Sequence, residues 1–246
     1  MILLQNKTAL ITGAGGGIGR AIATAYAEHG ARVILADLAA PDLTSLDRAR
    51  ALALDVTDEA ATISAFDALA RDGWTPDIVV PNAGILHLAS TEDIPTERFE
   101  AVLRVNLTGA FLTAKTAIAH MGAGGRIIFT SSLFGRRGGA GNAAYAASKF
   151  GMVGLMESMA ADLAPRGLLV NAIAPGQIET AMMEKLVATR LEQGLPDPRK
   201  KLLARIPMGR LGTPRELTGT YVWLASDLSN YVTGQTIIVD GGWQVG

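Results

Sequence analysis

Short, continuously apolar runs alternate along the chain with longer stretches in which apolar residues recur every three or four positions. The runs Ala9–Ile11, Arg32–Ala36, Leu52–Leu54, Asp77–Val80, Arg126–Thr130, Leu168–Ala174 and Gln235–Val239 each predict a strand. The spacing between them predicts helices over Ile18–His29, Thr57–Arg71, Thr96–His120, Asn142–Leu163 and Pro214–Leu224. Pro41 leaves Ala40–Arg50 an irregular connection, and the helical pattern of Glu179–Leu203 is interrupted by Gly194, Pro196 and Pro198. Strands that are apolar throughout are buried on both faces. The pattern therefore predicts an α/β fold, a doubly wound parallel sheet of about seven strands with helices on both faces. Right-handed crossovers gather all strand C-termini on one edge, where open α/β sheets bind ligands.

That edge carries the candidate chemistry. Between the first strand and the first helix lies Thr12-Gly13-Ala14-Gly15-Gly16-Gly17-Ile18-Gly19. Glycines let the backbone approach a pyrophosphate closely, and the free N–H groups of the helix start face the anion, which makes the sheet a Rossmann-type one. Asp37 ends the second strand about twenty residues later, where a carboxylate can accept both ribose hydroxyls of an adenosine. A 2′-phosphate there would meet a negative charge, and the following Leu38 offers no arginine, so these residues favour NAD over NADP. Asp55 can bond the adenine amino group with Val56 lining the base, although an aspartate there also makes a natural strand-to-helix cap.

Tyr145 and Lys149 stand four apart near the start of a helix and share one face, with Ser132 thirteen residues upstream, just past the fifth strand. A hydroxyl, a phenol and an ammonium make one proton-transfer group. The lysine cation and a cationic nicotinamide ring are expected to lower the phenol below its usual value near 10. The phenol then gives a proton to a carbonyl during reduction or takes one from an alcohol during oxidation.

Composition narrows the classes. The 22 basic and 23 acidic residues of this 246-residue chain nearly cancel, which argues against a nucleic-acid surface. Without cysteine there is no disulfide framework or thiolate metal site, and His29, His87 and His120 are isolated in sequence, so no metal is expected. The start lacks the features of a signal peptide and no apolar stretch is long enough to span a bilayer, so a cytoplasmic protein without a membrane partner is expected. With no sign of a second domain, residues 1–246 are read as one dinucleotide-binding and catalytic domain with a variable substrate segment at about 180–210.

Together these motifs resemble the short-chain dehydrogenase/reductase family along essentially the whole chain. Thr12–Gly19 matches its TGxxxGxG turn, Tyr145-Ala146-Ala147-Ser148-Lys149 its YxxxK motif, and Pro175-Gly176 with Ile178 and Thr180 its nicotinamide-contacting segment. The resemblance implies a tetrad. Ser132 polarises the substrate oxygen, Tyr145 is the acid/base, Lys149 binds the nicotinamide ribose, and Asn106 holds a water linking Lys149 to solvent. Read by itself, Asn106 is a helix-interior polar residue bonded to backbone. The resemblance further implies that Gly13, Gly17, Ile18 and Gly19 form the pyrophosphate turn, that Ile178 and Thr180 hold the carboxamide, and that Asn82 and Gly84 belong to the dinucleotide site. One departure is Pro81, where the family's NNAG segment has asparagine; a local contact is expected to be lost or rearranged there.

For the substrate, the resemblance points to residues after Ser132 and after Pro175. Asn142 and Gln177 suit a hydroxylated compound, while Leu133, Phe134 and Met182 make an apolar wall. Arg136 and Arg137, and the basic late segment with Arg190, Arg199, Lys200, Lys201 and Arg205, read as solvated outer faces. The expectation is NAD-linked interconversion of a secondary alcohol and a ketone on a small polar substrate such as a polyol, sugar or hydroxy acid. The alternatives are an NADPH-linked 3-oxoacyl thioester or other carbonyl reductase, and a dinucleotide-binding protein without catalysis. The family also implies a homotetramer, consistent with apolar residues on more than one face of the helix carrying Met152, Val153, Leu155, Met156 and Met159.

Overall fold

The computed structural model describes residues 2–192, Gly194 and 196–246. Seven strands, β1 (Thr8–Thr12), β2 (Arg32–Asp37), β3 (Ala49–Ala53), β4 (Ile78–Val80), β5 (Arg126–Thr130), β6 (Leu169–Pro175) and β7 (Thr236–Val239), form one sheet. Its order is β3-β2-β1-β4-β5-β6-β7 and every pairing is parallel. The order reverses between β1 and β4, so the crevice beyond their C-termini is the ligand position of a doubly wound sheet.

Eight α-helices are described: α1 (Gly17–Glu28), α2 (Glu59–Arg71), α3 (Thr96–Leu103), α4 (Gly109–His120), α5 (Ala143–Leu163), α6 (Ala181–Glu192), α7 (Pro198–Leu203) and α8 (Pro214–Ala225). Strand side chains alternate between two cores, as the twofold period of a strand requires. Ala9, Ile11, Val33, Leu35 and Val80 pack with Ile22 and Tyr26 of α1 and Leu217 and Tyr221 of α8. Leu10, Ile34, Val79, Ile127 and Phe129 pack on the other face with Phe66 of α2, Ala114 of α4 and Met152 and Met156 of α5.

Three elements differ from the sequence reading. β3 starts at Ala49 rather than Leu52, because this edge strand is paired along its whole length with Val33–Asp37 although Ala49 and Arg50 carry little apolar signal. The stretch Thr96–His120 is helical throughout but contains a π-turn, Arg104–Thr108, which inserts between α3 and α4. The pattern over Glu179–Leu203 divides into α6 and α7, with residues 193 and 195 of that stretch outside the described residues. α2 starts at Glu59, capped by the Asp58 carboxylate, which accepts the Ala61 N–H at 2.9 Å. Among the described residues, no helix is long and apolar enough to cross a membrane.

Candidate active site

The Gly-rich turn is a cradle that side chains would fill. A Cβ on Gly13 would lie 2.8 Å from the Ala83 Cα, and one on Gly19 would overlap the Gly13 carbonyl oxygen and lie 2.7 Å from Asn82 Nδ2. Gly13 and Gly17 also have positive φ, +64° and +54°, which glycine adopts without strain. Across the crevice from Gly17 stands Thr180, the residue before α6. The turn is held by Asn82, whose Nδ2 donates to the carbonyls of Thr12 and Gly13 at 2.9 and 3.2 Å. Thr12 returns the tie: its hydroxyl accepts the N–H groups of Asn82 and Ala83 at 3.0 and 3.1 Å. Pro81 has no N–H to offer, but its carbonyl accepts the Thr130 N–H at 3.0 Å, so the strand end is tied through its neighbours. This role of Thr12 was not legible in the sequence, where Thr12 figures only as the first letter of a motif.

A cleft of about 730 Å³ opens from this cradle across the C-terminal edge. Gly13, Gly17, Ile18, Gly19, Asp37, Asp55, Val56, Asn82, Gly84, Pro175, Ile178 and Thr180 all border it. So do Ser132, Tyr145, Lys149, Leu133, Phe134, Asn142, Gln177 and Met182. The volume and the open glycine cradle suit a dinucleotide with a small substrate beside it.

Two carboxylates mark one end. Asp37 Oδ2 accepts the Gly15 N–H at 2.8 Å and Oδ1 accepts its neighbour Leu38 N–H at 2.8 Å, so the side chain is fixed against the Gly-rich turn. Asp55 is engaged by its own turn: Oδ1 accepts the N–H and the hydroxyl of Thr57 at 2.9 and 2.8 Å. The Thr57 backbone bond is the largest cause holding this carboxyl below its usual range, and Arg104 adds to it. Asp55 thus closes a local turn ahead of α2, whose cap is Asp58, and any adenine contact falls to the lone pairs that remain.

The proton-transfer group is assembled by β5 and α5. Ser132 follows β5 and its hydroxyl accepts the Phe134 N–H at 3.1 Å. Lys149 is buried, and its Nζ donates to the Thr130 carbonyl at 2.7 Å and lies 5.7 Å from the centre of the Tyr145 ring. Burial pushes the Lys149 ammonium down to about 7. It also pushes the Tyr145 phenol above its ordinary value, partly offset by a hydrogen bond with Ser132. Burial and Ser132 are the two causes acting on the phenol here; the lowering expected from a cationic nicotinamide belongs to the dinucleotide-bound state.

Asn106 is fully buried in the π-turn. Its Oδ1 accepts the Ile85 N–H at 2.8 Å, and its Nδ2 donates to the Ile85 carbonyl at 3.0 Å and to Ser148 Oγ at 3.1 Å. Its backbone partner is therefore on the loop after β4, not within its own helix. A Cβ on Gly84 would lie 3.3 Å from Asn106 Oδ1 and 3.8 Å from Lys149 Nζ, which places these two groups beside each other at the cleft floor.

The substrate residues sort differently. Leu133 borders the cleft but is fully buried and packs with Ile206, Leu211 and Trp243, so it is part of a rigid wall. Phe134 stands edge-on between Tyr145 and Trp243, with ring centres 6.4 and 6.2 Å away. Arg136 and Arg137 are exposed and outside the cleft lining, and Arg137 lies over the Trp243 ring. Arg190, read as part of an outer face, borders the cleft instead, as do Leu86, Leu88 and Leu202, which sequence reasoning missed. Among the described residues no group of histidine and acidic side chains could hold a metal ion.

The sequence model of the enoyl-(acyl carrier protein) reductase family matches residues 13–244. The chain is 38% identical over 249 residues to a 3-oxoacyl-(acyl-carrier-protein) reductase of Thermotoga maritima, covering 97% of this chain and 98% of that one. It is 37% identical to an L-rhamnose 1-dehydrogenase (NAD(P)(+)) of Azotobacter vinelandii, covering 98% of both. Among solved structures, a short-chain type dehydrogenase/reductase from Mycobacterium marinum superposes with a TM-score of 0.91 at 36% identity, covering 100% of this chain and 98% of the other. A candidate NAD(P) dependent gluconate 5-dehydrogenase from Beutenbergia cavernae, with NADP bound at low occupancy, superposes at 0.87 with 38% identity, covering 100% and 99%. A candidate 2-deoxy-D-gluconate 3-dehydrogenase from Agrobacterium tumefaciens, also with bound NADP, superposes at 0.87 with 35% identity, covering 100% and 99%. These bound molecules overturn the expectation of NAD as the dinucleotide. Asp37, with Leu38 in place of an arginine after it, favoured NAD, and the relatives' ligands point the other way.

Proposed function

This chain belongs to the short-chain dehydrogenase/reductase family, and we propose that it is an NADPH-linked carbonyl reductase acting on a 3-oxoacyl thioester or a related ketone. Family and fold make it an NAD(P)-dependent oxidoreductase; the choice of NADPH and of reduction is our reading. The observation that carries it is the convergence, in one mostly apolar cleft, of the glycine cradle with Ser132, Lys149 and the Tyr145 phenol. NADP in two structural relatives supports the dinucleotide, and the 3-oxoacyl reductase relative supports the substrate class.

When bound, the reduced dinucleotide supplies the hydride. The chain's own residues do the rest. Ser132 donates a hydrogen bond to the carbonyl oxygen and orients it, and Tyr145 transfers its phenolic proton to that oxygen as negative charge develops there. Lys149, anchored on the Thr130 carbonyl, lies on the tyrosine's side of the cleft, where it stabilises the phenolate formed and can bond ribose hydroxyls. Asn106 fixes the Ile85 loop beside Lys149 and positions the lysine's surroundings. One domain carries both functions, with residues around 180–210 as the substrate wall. Assembly as a homotetramer belongs to the same reading, and the exposed Phe111 of α4 and Phe150 of α5 are apolar surface available for it.

A second reading, reduction of a hydroxylated ketone such as a keto sugar acid, draws on Asn142 and Gln177 in the lining and on the gluconate-related structures. Initial rates at 340 nm separate the two. An acetoacetyl thioester and a set of keto sugars and keto sugar acids are each run with NADPH and with NADH. NADPH-linked turnover of the thioester is expected; selective turnover of the sugars favours the second reading. No turnover of either, with NADPH binding demonstrated, overturns both.

A further inference from the structure

Among the described residues, the cleft lining contains one cation that no carboxylate answers. α6 turns Met183, Leu186 and Arg190 into the cleft, the i, i+3, i+7 spacing of a single helix face. Arg190 is half-buried, its Nε is shielded from solvent without a hydrogen-bond partner, and none of the ion pairs among the described residues includes it. The other cations lining the cleft are accounted for. Lys149 donates to the Thr130 carbonyl, and Arg104 lies in the field of Asp55. The carboxylates of the lining, Asp37 and Asp55, stand at the ends of β2 and β3, away from α6. In the same late segment Arg199 is tied to Asp197 at 2.6 Å, so a paired arginine was available to this stretch and Arg190 is not one.

A guanidinium partly desolvated among leucines and methionines is costly unless an anion meets it. We propose that Arg190 anchors an oxyanion, a carboxylate or a phosphate, on the tail of the carbonyl substrate. This rests on the carbonyl reductase reading. The planar fork of arginine binds either oxyanion through two parallel bonds, which a lysine cannot do. Arg190 is ten residues beyond Thr180, about 15 Å along a helix axis, so it stands at the far end of α6 from the residue that faces Gly17.

The test uses matched pairs, each an anion with a neutral counterpart: 5-oxohexanoate against its methyl ester, and acetoacetyl-pantetheine 4′-phosphate against acetoacetyl-pantetheine. Wild type is expected to favour the anionic member of one pair by about tenfold or more in kcat/KM, carried mainly by KM. Which pair shows it identifies carboxylate or phosphate. Arg190→Met is expected to bring that ratio close to one while the neutral member changes less than twofold, and Arg190→Lys to restore part of it. An equal ratio in wild type and Arg190→Met overturns the anchor and leaves the reductase reading standing. If wild type reduces none of the four compounds, the reductase reading fails, and calorimetric titration of the two anions into NADPH-loaded protein decides the anchor alone. Loss of binding in Arg190→Met supports it; unchanged binding, or no binding to wild type, overturns it.

Discussion

Lys149 Nζ donates to the carbonyl of Thr130 at 2.7 Å, and with the Ser131 hydroxyl donating to the Lys149 carbonyl at 3.3 Å it ties α5 to the end of β5. The ammonium is buried, and burial lowers it from an ordinary 10.5 to about 7. Between these values the unfolded chain binds more protons at this site than the folded one, so stability rises with pH across the window. The slope from this group is at most about 1.4 kcal/mol per pH unit. Below about 7 both states are charged and the penalty is constant; above about 10.5 both are neutral and it is gone. Urea unfolding at pH 7, 8 and 9 is expected to give a steeper rise in wild type than in Lys149→Met. Equal slopes would show that the ammonium is not desolvated.

Tyr145→Phe keeps the ring against Phe134 and removes only the hydroxyl. Turnover is expected to fall about 10²- to 10⁴-fold, with NADPH affinity changed only a few-fold, as read by steady-state rates and fluorescence titration. Because burial raises the phenol, its donor form persists through neutrality. kcat/KM for reduction is expected to decline only on the alkaline side. Ser132→Ala removes the bond that lowers the phenol, so it moves that decline to higher pH as well as slowing the reaction.

Asp37 presents its carboxylate beside Gly15, where the proposed NADPH would bring its 2′-phosphate. If NADPH is the working dinucleotide, this charge restrains its affinity rather than forbidding binding. Asp37→Ser is expected to lower KM for NADPH several-fold and to raise that for NADH, measured with one ketone at fixed concentration. An unchanged ratio of the two KM values removes Asp37 from dinucleotide selection.

Gly19→Ala places a methyl group against the Gly13 carbonyl and Asn82 Nδ2. The turn has to open to admit it. NADPH binding is expected to weaken at least tenfold in calorimetric titration, while circular dichroism still reports the folded sheet.

Asn106→Ala strips three hydrogen bonds from a fully buried site and leaves both backbone groups of Ile85 without their partner. A loss of about 2–4 kcal/mol is expected from chemical denaturation. Lys149 sits next to this side chain, so the alkaline limb of the rate profile is expected to shift in the same variant.

Much of this was legible without a fold. Continuous apolar runs such as Val33–Ala36 and Ile127–Phe129 determined a parallel sheet, because only strands covered on both faces have that pattern. The Gly-rich turn and the four-residue spacing of Tyr145 and Lys149 are local features, decided within one turn of backbone, and sequence alone placed them on the ligand edge. Other properties depend on what segments far apart in the chain do to one another. Asn106 reads as an ordinary helix residue until the π-turn aims it at Ile85, twenty-one residues upstream. Arg190 reads as a solvated charge until α6 closes over the cleft and turns one face inward. The proton affinity of Tyr145 depends on its burial, with Phe134 against its ring and Trp243 behind Phe134, so the direction of its shift was decided by tertiary packing. Periodicity and spacing report where a side chain leaves its own backbone; desolvation and hydrogen-bond partners are set by which other elements cover it.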